Sequence, residues 1–243
     1  MMAGRTGDLE QIARDISVRM RDVAVPDSHF HLDFSQFIPG FAGSLAAATR
    51  LAAHPVYRSA RHIFATPDNG LLPLRQIVLE GGRDLVLPSY GLHRGFILME
   101  AQRIPKDHAV FASWLDGMDY FGRTISLKEL RLRGQFDLIL TGASAITTGG
   151  LRFGMGARYL DIEWGVFAAA DLVSAGVPVV ALVHDIQVAD ASAPCLATDV
   201  LANYIVTPTR LLNCPESTRP VTLDWSIVSP ELAASPPLCE LRA

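Results

Sequence analysis

The sequence predicts an α/β fold built on a sheet of mainly parallel strands. Short, near-continuous apolar runs recur at Phe136–Thr141, Pro178–Val183 and Tyr204–Val206, the pattern of strands covered on both faces. Between the first two lies a longer stretch, from about residue 159 to 174, in which Leu160, Trp164, Phe167, Ala168 and Leu172 recur at helical spacing. Strand, helix, strand, strand with short links is the order such a sheet requires.

The other elements follow in order. Leu9, Ile12, Ile16 and Met20 fall on one face of an opening helix, with Asp8 as its cap and Gln11 completing a capping box. The Ala-rich run 44–53 suits a second helix, and Pro67-Asp68-Asn69-Gly70 is turn chemistry. Leu74–Leu79 and Leu85-Val86-Leu87 read as two strands joined tightly through Glu80–Asp84, with a further strand at Gly95–Met99. Gly176 ends the long helix, and the Pro- and Ser-rich tail from Pro215 onward is expected to wrap the surface.

Composition narrows the function classes. With 49% hydrophobic and 19% charged residues among 243, the chain can bury a sizeable core and is not disordered. Its 21 basic and 25 acidic residues give a net charge of −4, which supplies no global attraction to nucleic acid or an anionic membrane. The mean hydropathy is +0.25, yet apolar runs such as Val177–Val183 stay far below the roughly 20 residues of a membrane span. Arg5, Asp8 and Glu10 interrupt any apolar leader, so no signal peptide is expected. Cys195, Cys214 and Cys239 make neither a disulfide framework nor a zinc motif, which points to a reduced, cytoplasmic compartment.

Three segments carry candidate chemistry. The loop Thr147–Gly156 leaves a strand and feeds a helix, the edge of an α/β sheet where ligands bind. Its glycines and the helix start suit an anion, with Arg152 as a further contact, although an ordinary flexible connection has the same composition. His184, Asp185 and Gln187 follow the next strand on the same side of the sheet. They are acid–base or ring-recognising groups, or else simple caps of a strand end. His29 and His31, two apart, resemble the opening of metal hydrolases, but the remaining histidines show no series of later ligands.

Read as one string, Arg152-Phe153-Gly154-Met155-Gly156-Ala157-Arg158-Tyr159-Leu160-Asp161 resembles the signature of the 5-formyltetrahydrofolate cyclo-ligase (methenyltetrahydrofolate synthetase) family. That signature runs Arg, apolar, Gly, X, Gly, X, Gly, aromatic, X, Asp. The likeness is closer to the family's cyclo-ligase-like paralogous branch, which shares Glu163, the segment 183–188 and the segment 204–210. Ile38–Gly43, Pro67-Asp68, and Pro88 with Leu92 and Gly95 fall in the expected order, so the resemblance spans about residues 9 to 213 of a single domain, leaving 214–243 as an extension.

The resemblance implies a three-layer α/β/α fold. It implies a small-molecule partner, a folate-like substrate or related heterocycle. It also implies MgATP, which phosphorylates the formyl oxygen before N10 attacks and phosphate leaves. On this basis Arg14, Arg152, Gly154, Gly156, Arg158 and Tyr159 are expected at the nucleotide and Asp161 at magnesium. Glu163 and Gln187 are expected on the substrate side, with His184 and Asp185 in acid–base roles. The plainer alternatives are core packing for Tyr159 and Trp164, a helix-dipole role for Asp161 and a solvated helix position for Glu163.

The departures share one direction. Glu10 stands where the family has an ATP-contacting lysine, Ala42 and Met155 replace basic residues, Arg158 replaces the third glycine, and Gly91 and His93 replace two arginines. Each lost cation beside a phosphate removes about 1.5–3 kcal/mol. Three readings follow: a competent cyclo-ligase-like enzyme, a repurposed member without ATP acting on another small molecule, and a non-catalytic binding module.

Overall fold

The computed structural model describes residues 2–242, and side chains from residue 7 onward. Its centre is an eight-stranded sheet. In chain order the strands are β1 (Ile63–Ala65), β2 (Leu85–Pro88), β3 (Phe96–Met99), β4 (Arg123–Ile125), β5 (Leu138–Thr141), β6 (Val179–Leu182), β7 (Tyr204–Val206) and β8 (Leu211–Asn213). Their spatial order is β8-β7-β6-β5-β1-β2-β3-β4. The five strands from β7 to β2 pair in parallel, and β8, β3 and β4 add antiparallel edges.

Alternation along the strands feeds two helical layers. Ile63, Ala65, Leu138, Leu140, Val180 and Leu182 share a core with α1 (Met2–Met20), α2 (Ser44–Ala52) and α3 (Leu72–Glu80). Phe64, Val86, Ile139 and Val179 face the other way, onto α4 (Leu127–Arg133), α5 (Ala157–Ala169) and α6 (Pro236–Arg242). This is the three-layer, mainly parallel arrangement expected. Among the described residues no helix is long and apolar enough to cross a membrane.

Four local readings are corrected. Leu74–Leu79 is helical: it lies in α3, and Leu74 and Val78, one turn apart, are buried together. Parallel pairing of β1 with β2 demands a crossover, which two tightly linked strands cannot provide. Asp8 lies inside α1, so it caps nothing, and Gln11 bonds Asp15 instead. The α5 helix stops at Ala169, well before Gly176, where Asp171 takes a left-handed φ of 56°. The tail does more than wrap the surface, because Leu223 and Leu238 are buried in the α5 layer and Trp164 Nε1 donates to Pro220 O at 2.8 Å.

The chain runs from β1 to β2 on one side of the sheet and from β5 through β6 to β7 on the other. The reversal lies between β1 and β5, and the carboxyl ends of those strands open the crevice in which open α/β sheets bind ligands.

Candidate functional site

At that reversal the backbone leaves β1 through Thr66-Pro67-Asp68 and leaves β5 through Gly142. Asp68 ties the two exits together: its Oδ2 accepts from the Thr66 hydroxyl and from Gly142 N at 2.8 Å. Arg75 on α3, itself fully buried, holds the same exit from behind by donating to the carbonyls of Thr66 and Asp68, and to that of Ser113. The result is a cavity of about 370 Å³ lined by both exits, by Tyr159 and Glu163 of α5, and by Arg152.

Arg152 enters from a short strand, Arg152–Phe153, which pairs with Ala145–Thr147 beside Val188–Ala189. Its guanidinium is almost wholly spent. Nη2 pairs with Asp161 Oδ1 at 2.6 Å and also donates to Val200 O, while Nη1 donates to Ala157 O at 2.8 Å. Only Nε is left buried without a partner. Asp161 is equally committed, since the same Oδ1 accepts from Val200 N at 3.0 Å.

Glu163 lies on the cavity's floor and is 2% exposed, which overturns the solvated-helix alternative. Its Oε2 has no hydrogen-bond partner. Burial, reinforced by the neighbouring Asp68 carboxylate, pushes its pKa well above the ordinary glutamate range despite Arg152. Burial raises Asp68 as well, against the opposing bonds from Thr66 and Gly142. The site therefore holds one buried N–H and one buried carboxyl oxygen without a protein partner, features that buried polar groups ordinarily avoid.

Gly154 and Gly156 owe their identity to backbone shape, with φ of 85° and 76°. A Cβ on Gly156 would come within 3.1 Å of Ile38 Cδ1, and one on Gly154 within 3.2 Å of Ser144 Cβ. Gly156 caps α5 in the left-handed conformation, which leaves Arg158 in the first helical turn, exposed and under no demand for glycine. Arg14 lies apart from Arg152. Together with Gly154 and Gln187 it lines a second hollow of about 240 Å³, which shares Ser35 and Met155 with the first.

The His184–Gln187 segment is a closed structural unit. His184 Nδ1 accepts from Ile186 N, which fixes the ring as a cap. Gln187 Oε1 accepts from His184 N at 2.7 Å and its Nε2 donates to Ala143 O at 2.6 Å. Asp185 Oδ1 accepts from Thr207 and Thr209 hydroxyls, both at 2.6 Å. None of the three lines the larger cavity. The two polar clusters stand on one sheet edge, and it is the first that holds buried polar atoms without a partner.

ATP and magnesium do not fit the residues assigned to them. Among the described residues Arg152 is the only cationic side chain lining the larger cavity, against the carboxyls of Asp27, Asp68 and Glu163. Arg14 is held on its own helix by Gln11 Oε1 at 2.9 Å and approaches Glu10 to 4.0 Å, so the residue in the lysine position draws on Arg14. Asp161 is Arg152's counter-ion and is absent from the cavity lining. Among the described residues no group of three or more His, Cys, Asp or Glu side chains is placed to hold a metal ion. Asp68 entered the sequence reading as a turn residue and a position of the resemblance, without a site role; the apolar triplet Ile63–Ala65 shortly before it was the available signal of a strand exit.

Comparison with known proteins places this geometry. A sequence model of the 5-formyltetrahydrofolate cyclo-ligase family matches residues 9–208. Methenyltetrahydrofolate synthase domain-containing proteins of Bos taurus and Mus musculus are each 30% identical, over 205 and 231 residues. The matches cover 83% and 91% of this chain but 53% and 61% of those relatives, so the chain spans little more than half their length. The NMR structure of Aquifex aeolicus 5,10-methenyltetrahydrofolate synthetase shares the fold at a TM-score of 0.51 and 15% identity, over 86% of this chain and 93% of that one.

Proposed function

Because the chain belongs to the 5-formyltetrahydrofolate cyclo-ligase family, we propose that the cavity between the exits of β1 and β5 binds a folate-type substrate or a related heterocycle, and that the family's nucleotide grip has been given up. The observation that carries this reading is the pair of unpartnered buried polar atoms, Arg152 Nε and Glu163 Oε2, at one cavity. A neutral heterocycle that carries both an acceptor and a donor suits this pair, the first for Arg152 and the second for Glu163. A triphosphate would instead meet three carboxyls and a guanidinium already neutralised by Asp161.

Each residue then has a role. Arg152 Nε donates to a ligand acceptor while Asp161 fixes the guanidinium plane. Asp68 holds the two strand exits at a set spacing, and Tyr159 covers the ligand from the first turn of α5. His184, Asp185 and Gln187 brace the loops behind the site. The competing reading, an ATP-dependent cyclo-ligase, draws on Arg14 and Gly154 sharing the second hollow. Calorimetry with 5-formyltetrahydrofolate, with and without MgATP, separates the two. Folate binding that is indifferent to MgATP is the expected result. Folate binding that requires MgATP supports the ligase, and no folate binding rejects both readings.

A further inference from the structure

We infer that the C-terminal extension is part of the ligand site, with Arg219 as the positioning residue that sets Arg152, and with Pro220 and Leu223 setting the α5 wall. The inference rests on the reading of the cavity as the substrate site. It adds to that site a segment that lies beyond residues 9–208, the stretch matched by the family.

The route to Arg152 runs through residues 200–203, which lead into β7. Val200 grips both members of the buried ion pair. Its N–H donates to Asp161 Oδ1 at 3.0 Å, and its carbonyl accepts from Arg152 Nη2 at 3.3 Å. The next carbonyl, Leu201 O, accepts from Arg219 Nη1, and Arg219 Nη2 donates to Asn203 Oδ1 at 2.5 Å. Asn203 is fixed in turn to the start of β6: its Oδ1 accepts from Val179 N at 2.9 Å and its N–H donates to Val179 O at 2.8 Å. One planar guanidinium thus holds the segment at two points and ties it to the sheet. Among the described residues, the Arg152 guanidinium bonds only to α5 and to Val200, so its placement depends on that segment. The two guanidiniums also bear on each other: burial, with the like charge of Arg152 added, brings the Arg219 pKa down to about 10.

A second route runs through the helix. Tyr159, Leu160 and Glu163 of α5 line the cavity, and the extension packs on the residues that follow Glu163. Trp164 Nε1 donates to Pro220 O at 2.8 Å, and the Arg219 guanidinium lies 5.2 Å from the centroid of the Trp164 ring. At Gly165 a Cβ would meet Leu223 Cα at 2.9 Å and its Cδ1 at 2.8 Å, so glycine is what lets the extension approach the helix backbone. Arg219 is 9% exposed and absent from the cavity lining. It bears on a ligand only through the groups that line the cavity. Binding groups work when a supporting shell holds them to within about 0.5 Å, and the extension supplies part of that shell.

The test uses the full chain with 5-formyltetrahydrofolate as the probe, titrated by calorimetry at a temperature where melting curves show each variant folded. Arg219→Lys keeps the charge but loses the planar fork that bridges Leu201 and Asn203. Its Kd is expected to rise roughly 3–30-fold. Trp164→Phe keeps a ring beneath Arg219 and loses the bond to Pro220, and a smaller rise is expected. The second readout is the Arg152 Nε–H resonance in proton–nitrogen correlation spectra of the ligand-free protein. A residue that only adds stability leaves that resonance in place in the folded state, whereas Arg219→Lys is expected to move it. An unchanged Kd in the variants overturns the inference and leaves the cavity reading intact. A weakened Kd with an unmoved Arg152 resonance overturns the route from Arg219 to Arg152. If Arg219→Lys does not fold, the same two readouts on Trp164→Phe decide. Failure of the wild type to bind the probe overturns the cavity reading itself and the inference with it.

Discussion

Two polar clusters stand at the carboxyl edge of the same sheet, and they differ in how their atoms are used. At the exits of β1 and β5, Arg152 and Glu163 each keep a buried polar atom without a partner, beside a cavity. At the exit of β6, His184, Asp185 and Gln187 form bonds to backbone and to threonine hydroxyls. By residue type the second cluster looks the more catalytic. Among buried atoms the hydrogen bonds reverse that order, because Gln187 must break native contacts before it can serve a ligand while Arg152 Nε and Glu163 Oε2 have none to break.

Arg152 provides the sharpest way to break the comparison. Arg152→Met leaves Asp161 buried without its counter-ion and frees the carbonyls of Ala157 and Val200. Removing one partner of such a pair costs about 3–5 kcal/mol. A matching fall in the chemical-denaturation midpoint is expected, together with loss of folate binding. A variant with normal stability would show that the pair is not the anchor of the site.

Gln187→Leu tests the other cluster. It removes the bonds to His184 N and Ala143 O, for a loss of about 1–3 kcal/mol. Calorimetry on the folded fraction should find ligand affinity unchanged. A large drop in affinity at modest loss of stability would move Gln187 from brace to ligand contact.

Much of this contrast lay beyond the reach of sequence. The runs 136–141 and 178–183 were legible as strands because burial on both faces leaves a near-continuous apolar string. The run Leu74–Leu79 was misread as a strand: Arg75 and Gln76 interrupt it, and Leu74, Ile77 and Val78 fall at helical spacing, i, i+3 and i+4. The glycine-rich loop was legible as a site, yet its use was not. Arg152 reads as a free cation until the fold brings Asp161 and Val200 against it, and Glu163 reads as a surface residue until α5 turns it inward.

Glu163 also separates the clusters by pH. Its pKa is raised by burial in the folded state, so the folded protein holds this proton more tightly than the unfolded chain. The associated stability is complete below the unfolded pKa of about 4.3 and is lost as pH rises toward the folded value. Glu163→Gln removes that loss. Its melting temperature should gain on the wild type as pH rises from acid to neutral and beyond, each kcal/mol reading as roughly 2–4 °C. A parallel shift at every pH would mean that the carboxyl titrates alike in the folded and unfolded states.

Asp185 should show the opposite sign at the smallest scale. Burial pushes its pKa up, but the hydroxyls of Thr207 and Thr209, with His184 and Arg210, outweigh that and hold it below the ordinary aspartate range. Its contribution is therefore present above the unfolded pKa and lost as pH falls through the folded one. Thr209→Val deletes one of the two hydroxyl donors, at a cost of about 0.5–1.5 kcal/mol at neutral pH. The deficit should close as the pH drops below the aspartate range, since both proteins then carry a protonated Asp185. Acid-unfolding curves that converge at low pH, with folate affinity unchanged at neutral pH, would place this cluster wholly in the scaffold. Curves that stay apart would show that Thr209 acts through packing instead of through the Asp185 charge.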